Sequence, residues 1–334
     1  MKTTDFAKTL AKYFSEYLPG IRNFSANTIS SYRDTFKLLL NFFKEKGVPP
    51  EKLDYTDLTA EAVSEFLEWL ESSRGCSIST RNQRLAAVHA FCRYAQTDAP
   101  ERLLDLQKIL QLPTKRCSRK TVPHLTTDQV RVLLEQPGQS TKAGRRNTVL
   151  LSILYDTGAR VQEVCDIMVK DVRLASPAVA TLTGKGHKTR VVPLLNNTAS
   201  LLDAYMHENH LDGNGVLEKP LFFNQRGAKL TRGGISHILQ KYAAQASAAI
   251  KMPDKVTPHM LRHSKAMHLY QAGVDLVYIR DILGHADIST TDIYARADTE
   301  SKRKALEKAY TDIPKQAFPD WTEDGGLMEF LSSL

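Results

Sequence analysis

Val179-Ala180-Thr181-Leu182-Thr183-Gly184-Lys185-Gly186-His187-Lys188-Thr189-Arg190-Val191-Val192-Pro193-Leu194 holds two short runs rich in β-branched residues, joined by a Gly-Lys-Gly turn. That composition predicts a small β-hairpin with Lys185 at its tip. Outward from it the apolar spacing becomes helical. Upstream, residues 145–157 and 160–169 read as helices meeting at Thr157-Gly158, and Thr126-Thr127-Asp128 caps a helix whose apolar side is Val130, Leu133 and Leu134. Downstream, helical patterns occupy residues 196–209, 233–250, 258–272, 275–283 and 289–310. The expected fold class is therefore mostly α, with a small β-hairpin in the second of two domains.

The first hundred residues read as helices alone. Ile29, Tyr32, Phe36, Leu39 and Phe43 form one stripe within residues 27–46, opposite Arg33, Lys37, Asn41 and Lys44. Residues 59–72 repeat the pattern with Val63, Phe66, Leu67 and Leu70. Residues 79–95 set Leu85, Val88, Phe91 and Cys92 against Arg81, Arg84 and Arg93, and a further helix is expected in 101–111. Four or five helices with short connections suit a small bundle. The expected organisation is a helical domain over 1–110, a basic linker over 111–122, a second domain over 123–313 and a tail over 314–334. Arg33, Lys37, Arg81 and Arg84 on the bundle, with Lys115 and Arg116 in the linker, are candidate phosphate contacts, although a solvated helix face has the same composition.

The 334 residues carry 45 Lys+Arg against 37 Asp+Glu, a net charge of +8. The excess is uneven: +1 over residues 1–108, +11 over 109–315 and −4 over 316–334. A polyanion is therefore expected on the second domain. Charge alone does not separate nucleic acid from an acidic membrane surface, but no basic amphipathic anchor or lipidation signal supports a membrane. No run of apolar residues is long enough to span a bilayer, and Met1–Phe6 turns polar and acidic at once, unlike a secretory leader; a cytoplasmic, nucleoid-associated protein is expected. Cys76, Cys92, Cys117 and Cys165 include no CxxC pair, so reduced and mostly buried thiols are expected.

Three stretches carry reactive side chains. In Thr157-Gly158-Ala159-Arg160-Val161-Gln162-Glu163-Val164, Gly158 can end one helix in a left-handed turn, which places Arg160 at the start of the next. The bland alternative is a surface arginine paired with Glu163. In Thr257-Pro258-His259-Met260-Leu261-Arg262-His263, Thr caps, Pro takes the first helical position, and His259 and Arg262 stand three apart. In Leu283–Tyr294, Gly284 stops a helix, Ser289 and Asp292 form a capping box, and Tyr294 lies in the first turns of the helix that follows. Two arginines, two or three histidines, a turn lysine and a tyrosine are phosphoryl-transfer equipment, and no acidic trio suited to two Mg²⁺ ions accompanies them. His259, His263 and His285 also offer a zinc-like H-x₃-H spacing, which the adjacent arginines oppose.

The strings T-G-A-R-V-Q-E, G-K-G-H-K-T-R, H-M-L-R-H and L-G-H-A-D-I-S-T-T-D-I-Y, in that order, resemble the tyrosine recombinase (phage integrase) family, its compact Xer-like and mobile-element branch most closely. The resemblance implies a two-domain clamp, with a helical core-binding bundle followed by a catalytic domain. It implies that Arg160 and Arg262 clamp a scissile phosphate, that His259 moves a proton with the nucleophile, and that Lys185 protonates the 5′ oxygen, with Lys188 as the alternative. It further implies that His285 hydrogen-bonds the phosphate, that Tyr294 attacks to form a 3′-phosphotyrosyl link, and that Glu163 and His263 support the site. No cofactor, metal or ATP is implied. The implied partners are double-stranded DNA with inverted-repeat core sites and a homo-tetramer on two such sites, or a hetero-tetramer with a paralogous recombinase, with the tail docking onto a neighbour. The rival readings are a type IB topoisomerase, which would use the same residues for strand rotation, and a catalytically silent DNA-binding regulator.

Overall fold

The computed structural model describes residues 3–117 and 123–284, apart from Lys185 and His187. The chain divides into two units, Met1–Lys120 and Thr121–Leu334.

The described residues of the first unit form helices joined by turns, with no strand among them. Helix α1 (Asp5–Lys12) runs into a π-helical stretch, Tyr13–Ile21, and is followed by α2 (Ala26–Glu45), α3 (Ala60–Ser72), α4 (Ile78–Asp98) and α5 (Leu103–Leu110). Thr4, Ser25, Thr59 and Ser77 begin the first four of these helices, each hydroxyl accepting a backbone N–H that the helix itself leaves unpaired. The expected stripes face inward. Phe91 of α4 sits at their centre, in edge contact with Phe6, Tyr13 and Phe36 at centroid distances of 5.6, 5.4 and 5.1 Å. Helix α1 and the π-helical stretch were not singled out from sequence. They add Phe6, Tyr13 and Leu18 to this core.

Two of the candidate phosphate contacts are corrected. Arg81 is 7 % exposed and faces inward, donating to Asn82 Oδ1 (3.1 Å) and Pro113 O (3.3 Å) and pairing with Glu71 (3.3 Å). Arg84 is half-buried, its Nη1 donating to Ser31 O and Thr35 Oγ1 of α2, both at 3.0 Å. Both arginines close the packing of α4 against its neighbours, because long aliphatic stems can cross an apolar boundary while the charged heads find acceptors. Arg33, Lys37 and Arg116 are exposed. Lys115 is exposed as well and pairs with Glu71 at 2.8 Å. The chain at Lys115 is gripped at both backbone groups by the Asn82 amide, at 2.8 and 3.1 Å, so the first residues of the expected linker are fastened to α4. Of the cysteines, Cys92 and Cys165 are buried, Cys76 is half-buried and Cys117 is exposed.

The second unit surrounds a three-stranded antiparallel sheet with helices α6 (Thr127–Glu135), α7 (Lys142–Thr157), α8 (Val161–Asp166), α9 (Asn196–Glu208), α10 (Arg232–Ala246), α11 (Pro258–Gln271) and α12 (Leu276–Leu283). The hairpin is β2 (Val179–Thr183) and β3 (Thr189–Pro193), in register from Val179↔Pro193 to Thr183↔Thr189. A two-residue strand β1 (Val172–Arg173), too short to leave a sequence pattern, pairs with β2. Thr126 and Gln129 form a reciprocal capping box on α6. Helix α7 is buried along most of its length and forms a core with Leu182 of β2, Leu202 of α9, Leu239 of α10 and Leu261 of α11. Leu125 is bound at both backbone groups to α11, its N–H donating to Ser264 Oγ (2.8 Å) and its carbonyl meeting His268 Nε2 (2.9 Å). Among the described residues no helix is long and apolar enough to cross a membrane.

Removing the Phe91 ring leaves a cavity where three other rings meet. Phe91→Ala is expected to lower the stability of the first unit by about 3–5 kcal/mol, seen as an earlier urea midpoint for first-unit amides in hydrogen exchange, with second-unit amides unchanged.

Candidate active site

Helix α7 ends at Gly158, whose φ of 56° is left-handed, and the chain restarts as α8 with Arg160 at the N-cap. Glu163, one turn into α8, reaches back so that its Oε2 accepts the Arg160 backbone N–H at 2.8 Å. Its Oε1 accepts Arg160 Nη1 at 2.9 Å. The same carboxylate is forked by Arg190 of β3, Nη1 to Oε1 at 2.9 Å and Nη2 to Oε2 at 2.7 Å. Glu163 is 4 % exposed. Burial pushes its carboxyl up, but the Arg190 and Arg160 guanidiniums and the Arg160 amide outweigh that and hold it at about 2.

The second focus is the C-terminal end of α12. Three consecutive carbonyls there each accept from a different arginine: Ile282 O from Arg190 Nε at 2.8 Å, Leu283 O from Arg262 Nη2 at 2.5 Å, and Gly284 O from Arg160 Nη2 at 3.1 Å. Arg262 Nη1 also donates to Gly158 O at 2.7 Å, tying the end of α7 to the end of α12. These carbonyls have no partner within their own helix, and the helix dipole makes that end favourable for cations.

Close packing explains one glycine in each of three motifs. A Cβ at Gly158 would stand 2.6 Å from Leu283 Cδ2, one at Gly184 would stand 2.8 Å from Glu163 Oε1, and one at Gly284 would stand 2.9 Å from Arg190 Cδ. Gly284 is also left-handed, with φ 65°, as expected of a helix stop. The turn after α7, the hairpin and the end of α12 therefore meet at one cluster of charge.

Helix α11 completes the site, capped by Thr257 with Pro258 in its first turn. Arg262 is 2 % exposed. His259 is accessible to solvent, and its ring lies 5.0 Å from that of His263, edge to face. Partial desolvation, then the charges of Arg262 and Arg160, hold His259 below the ordinary histidine value. Burial, then His259, Arg262 and His124, push His263 down to about 4. Both rings are neutral near pH 7. Two guanidiniums beside this histidine pair oppose a cation, and among the described residues no three His, Cys, Asp or Glu side chains converge on a metal position.

Of the residues singled out from sequence, Arg160, Glu163, His259, Arg262 and His263 come together in the second unit. The pairing of Arg160 with Glu163 does form, and it does so within the cluster. Lys185, His285 and Tyr294 lie outside the described residues, as does the Ser289/Asp292 box. Sequence reasoning assigned no role to Arg190. Its signal was the strand alternation: Arg190 shares a face of β3 with buried Val192, whereas Val191 is 63 % exposed. A charged residue on the inward face of a strand needs a counter-ion.

Residues 123–301 match the phage integrase family, and residues 11–98 match the phage integrase N-terminal SAM-like domain. A Sinorhizobium fredii protein described as an integrase/recombinase, y4rC, is 36 % identical over 100 % of this chain and 99 % of its own length. The tyrosine recombinase XerD of Mycobacterium leprae is 32 % identical over 92 % of this chain and 98 % of its own. Among solved structures, the XerH site-specific recombinase bound to palindromic difH substrate, a post-cleavage complex, superposes with a TM-score of 0.68 at 25 % identity, covering 86 % of this chain and 81 % of that one.

Because the Glu163 carboxyl is depressed from 4.5 to about 2, its stabilising contribution is complete above about pH 4.5 and is lost as pH falls toward 2. Glu163→Gln is expected to be less stable than the natural protein near neutral pH, by on the order of 3 kcal/mol. That gap should close across this acid window in urea titrations; a gap independent of pH would contradict the ion-pair assignment.

Proposed function

This chain belongs to the phage integrase family of tyrosine recombinases, enzymes of site-specific DNA recombination, and from that premise we propose that its own strand cleavage runs through Tyr294. The observation that carries the reading is the convergence of Arg160 and Arg262. Distant in sequence, they donate to adjacent carbonyls, Gly284 and Leu283, in the turn that leads directly to His285.

In this reading the Tyr294 oxygen attacks the scissile phosphorus. A P–O(Tyr) bond forms, the P–O5′ bond breaks, and the 3′-phosphoryl group remains on the enzyme. Charge develops on the two non-bridging oxygens, where Arg160 and Arg262 bind, each charge-assisted hydrogen bond contributing about 1.5–3 kcal/mol. A free tyrosine has a pKa near ~10 and needs a base, and neutral His259 accepts its proton. Lys185 donates a proton to the departing 5′ oxygen, His285 hydrogen-bonds the phosphate, and His263 and Glu163 hold the reacting groups in place. Each proton transfer contributes about 10²–10⁴ in rate. One phosphodiester is exchanged for another, so the step needs no ATP and reverses when a 5′-hydroxyl attacks. When that hydroxyl belongs to a second duplex, strands are exchanged.

The palindromic substrate of XerH supports an inverted-repeat core site as the target of this chain too. The excess positive charge of residues 109–315, which include the basic stretch Lys115, Arg116, Arg119 and Lys120, supports phosphate neutralisation by the linker and the second unit. We extend the proposal to four copies on two such sites, alone or with a paralogous recombinase. The apolar end Leu327–Leu334, outside the described residues, would dock onto a neighbouring copy, and the reaction would take place in the cytoplasm on nucleoid DNA.

The test begins by sequencing DNA trapped covalently on the protein in its native host and rebuilding that sequence as a nicked duplex. Tyr294→Phe is expected to abolish the protease-sensitive covalent adduct while leaving affinity for the duplex within about two-fold, and affinity should fall steeply with salt. An adduct formed by the Phe variant would overturn Tyr294 as nucleophile. Deleting residues 319–334 should reduce assembly and cleavage more than duplex affinity; equal loss of both would assign the tail to folding.

A further inference from the structure

Arg190 links three of the elements that build the site: the hairpin, α8 and the end of α12. It lies on β3, whose hairpin bears Lys185. Two of its nitrogens fork Glu163, whose Oε1 also accepts Arg160 Nη1. Its Nε donates to Ile282 O, and its aliphatic carbons lie against Gly284, the residue before His285. All three of its nitrogens donate to protein acceptors, Nε to Ile282 O and Nη1 and Nη2 to the Glu163 carboxylate.

We propose that Arg190 is a positioning residue for strand cleavage, setting Arg160 through Glu163 and fixing the hairpin against the turn that precedes His285. The proposal rests on the reading given under Proposed function and deepens it. A fork is required for this task, not merely a positive charge. Arg160 and Arg190 share one carboxylate oxygen, so the rotation of the Glu163 carboxylate decides where the Arg160 guanidinium lies. A planar bidentate partner engages both oxygens and still has a third donor for Ile282. A lysine supplies a point charge that leaves only Arg160 itself to orient the carboxylate. Removing one partner of a buried pair also costs stability, so unfolding is read beside cleavage in every variant, and the Lys variant, which keeps the charge, separates the two effects.

The experiment uses the full chain with Arg190→Met, Arg190→Lys, Glu163→Gln and the Arg190→Met/Glu163→Gln double variant, on the nicked duplex described above. Single-turnover cleavage, duplex affinity and thermal unfolding are read for each. Arg190→Met and Arg190→Lys are expected to slow cleavage by roughly 10²-fold, the scale on which a small misplacement of a reacting group is felt, with affinity within about two-fold. Glu163→Gln should slow cleavage comparably, and the double variant should be no slower than either single one, since both act through the same contact.

The pH profile separates positioning from general weakening. The charged groups facing Glu163 are Arg160 at the start of α8 and Arg190 on β3. Without Arg190, burial drives the carboxyl up, so the cleavage rate of Arg190→Met should acquire an acid limb. The natural protein lacks that limb, and so does the double variant. Cleavage by both Arg190 variants at the natural rate overturns the proposal. So does a parallel loss of folding, affinity and cleavage in the Lys variant, which would make Arg190 structural only. Additive effects in the double variant also overturn it. A failure of Tyr294 as nucleophile shows instead as an adduct formed by Tyr294→Phe, whatever the Arg190 variants do.

Discussion

One buried carboxylate organises the second unit's reactive end. Glu163 is the counter-ion of two guanidiniums that approach from different elements, and without it Arg190 would stand as a nearly enclosed, unpaired charge beside Arg160. An uncompensated buried charge is far more costly than a paired one, so the arrangement holds together as a unit. The C-terminal carbonyls of α12 play the complementary part. They supply partial negative charge to three arginines, and the arginines in return satisfy three carbonyls that the helix leaves open. The turn into His285 is therefore located by hydrogen bonds on residues 282, 283 and 284 in succession.

That arrangement bears on how a phosphate is received. Arg160 keeps 36 % of its side chain accessible, whereas Arg262 and Arg190 are nearly enclosed. A guanidinium tied to backbone carbonyls on one edge is fixed in orientation before any anion arrives, so little rotational freedom remains to be lost on binding. Fixed donors of this kind stabilise developing charge better than mobile ones, because they need no reorganisation as the charge forms. The glycines at 158, 184 and 284 serve the same end. Each permits a backbone approach that a methyl group would block, so three separate chain segments reach the cluster at van der Waals distance.

Much of this was legible in the residues, and the exceptions have physical causes. Helix stops at Gly158 and Gly284 were readable because a left-handed cap has a short-range chemical signature. The helix cap at Thr126 and the hairpin were readable for the same reason, whereas the reciprocal bond from Gln129 was not read. Arg160, Arg262 and the histidines stood out through motif order, which is informative about partners that spacing alone cannot bring together. Arg190 did not stand out, since its role depends on which face of β3 turns inward, and that is settled by the sheet packing on α8 and α12. The opposite error befell Arg81 and Arg84. Helical periodicity placed them opposite the apolar stripe, but neighbouring α2 and α3 and the chain at Pro113 cover that side as well, and the guanidiniums turn to Glu71, Ser31, Thr35 and Pro113 instead of to solvent.

The positive cluster proposed to receive a phosphate also bears on the proton chemistry. A partly desolvated histidine beside two guanidiniums loses its proton more readily than an isolated one, and burial first, then Arg262 and Arg160, act on His259 in that sense. His263, deeper in the unit, is pushed further still by burial and by its neighbours. Near neutral pH the pair therefore offers acceptor nitrogens rather than donated protons, which suits the removal of a proton from an incoming hydroxyl. It does not suit protonation of a departing oxygen. In the proposed mechanism that second duty falls to Lys185, and the residue type suits it: an amine's ordinary pKa lies about four units above that of histidine, so it keeps its proton at neutral pH. The electrostatics proposed to bind the substrate thus also bear on which residue type can serve as acid and which as base.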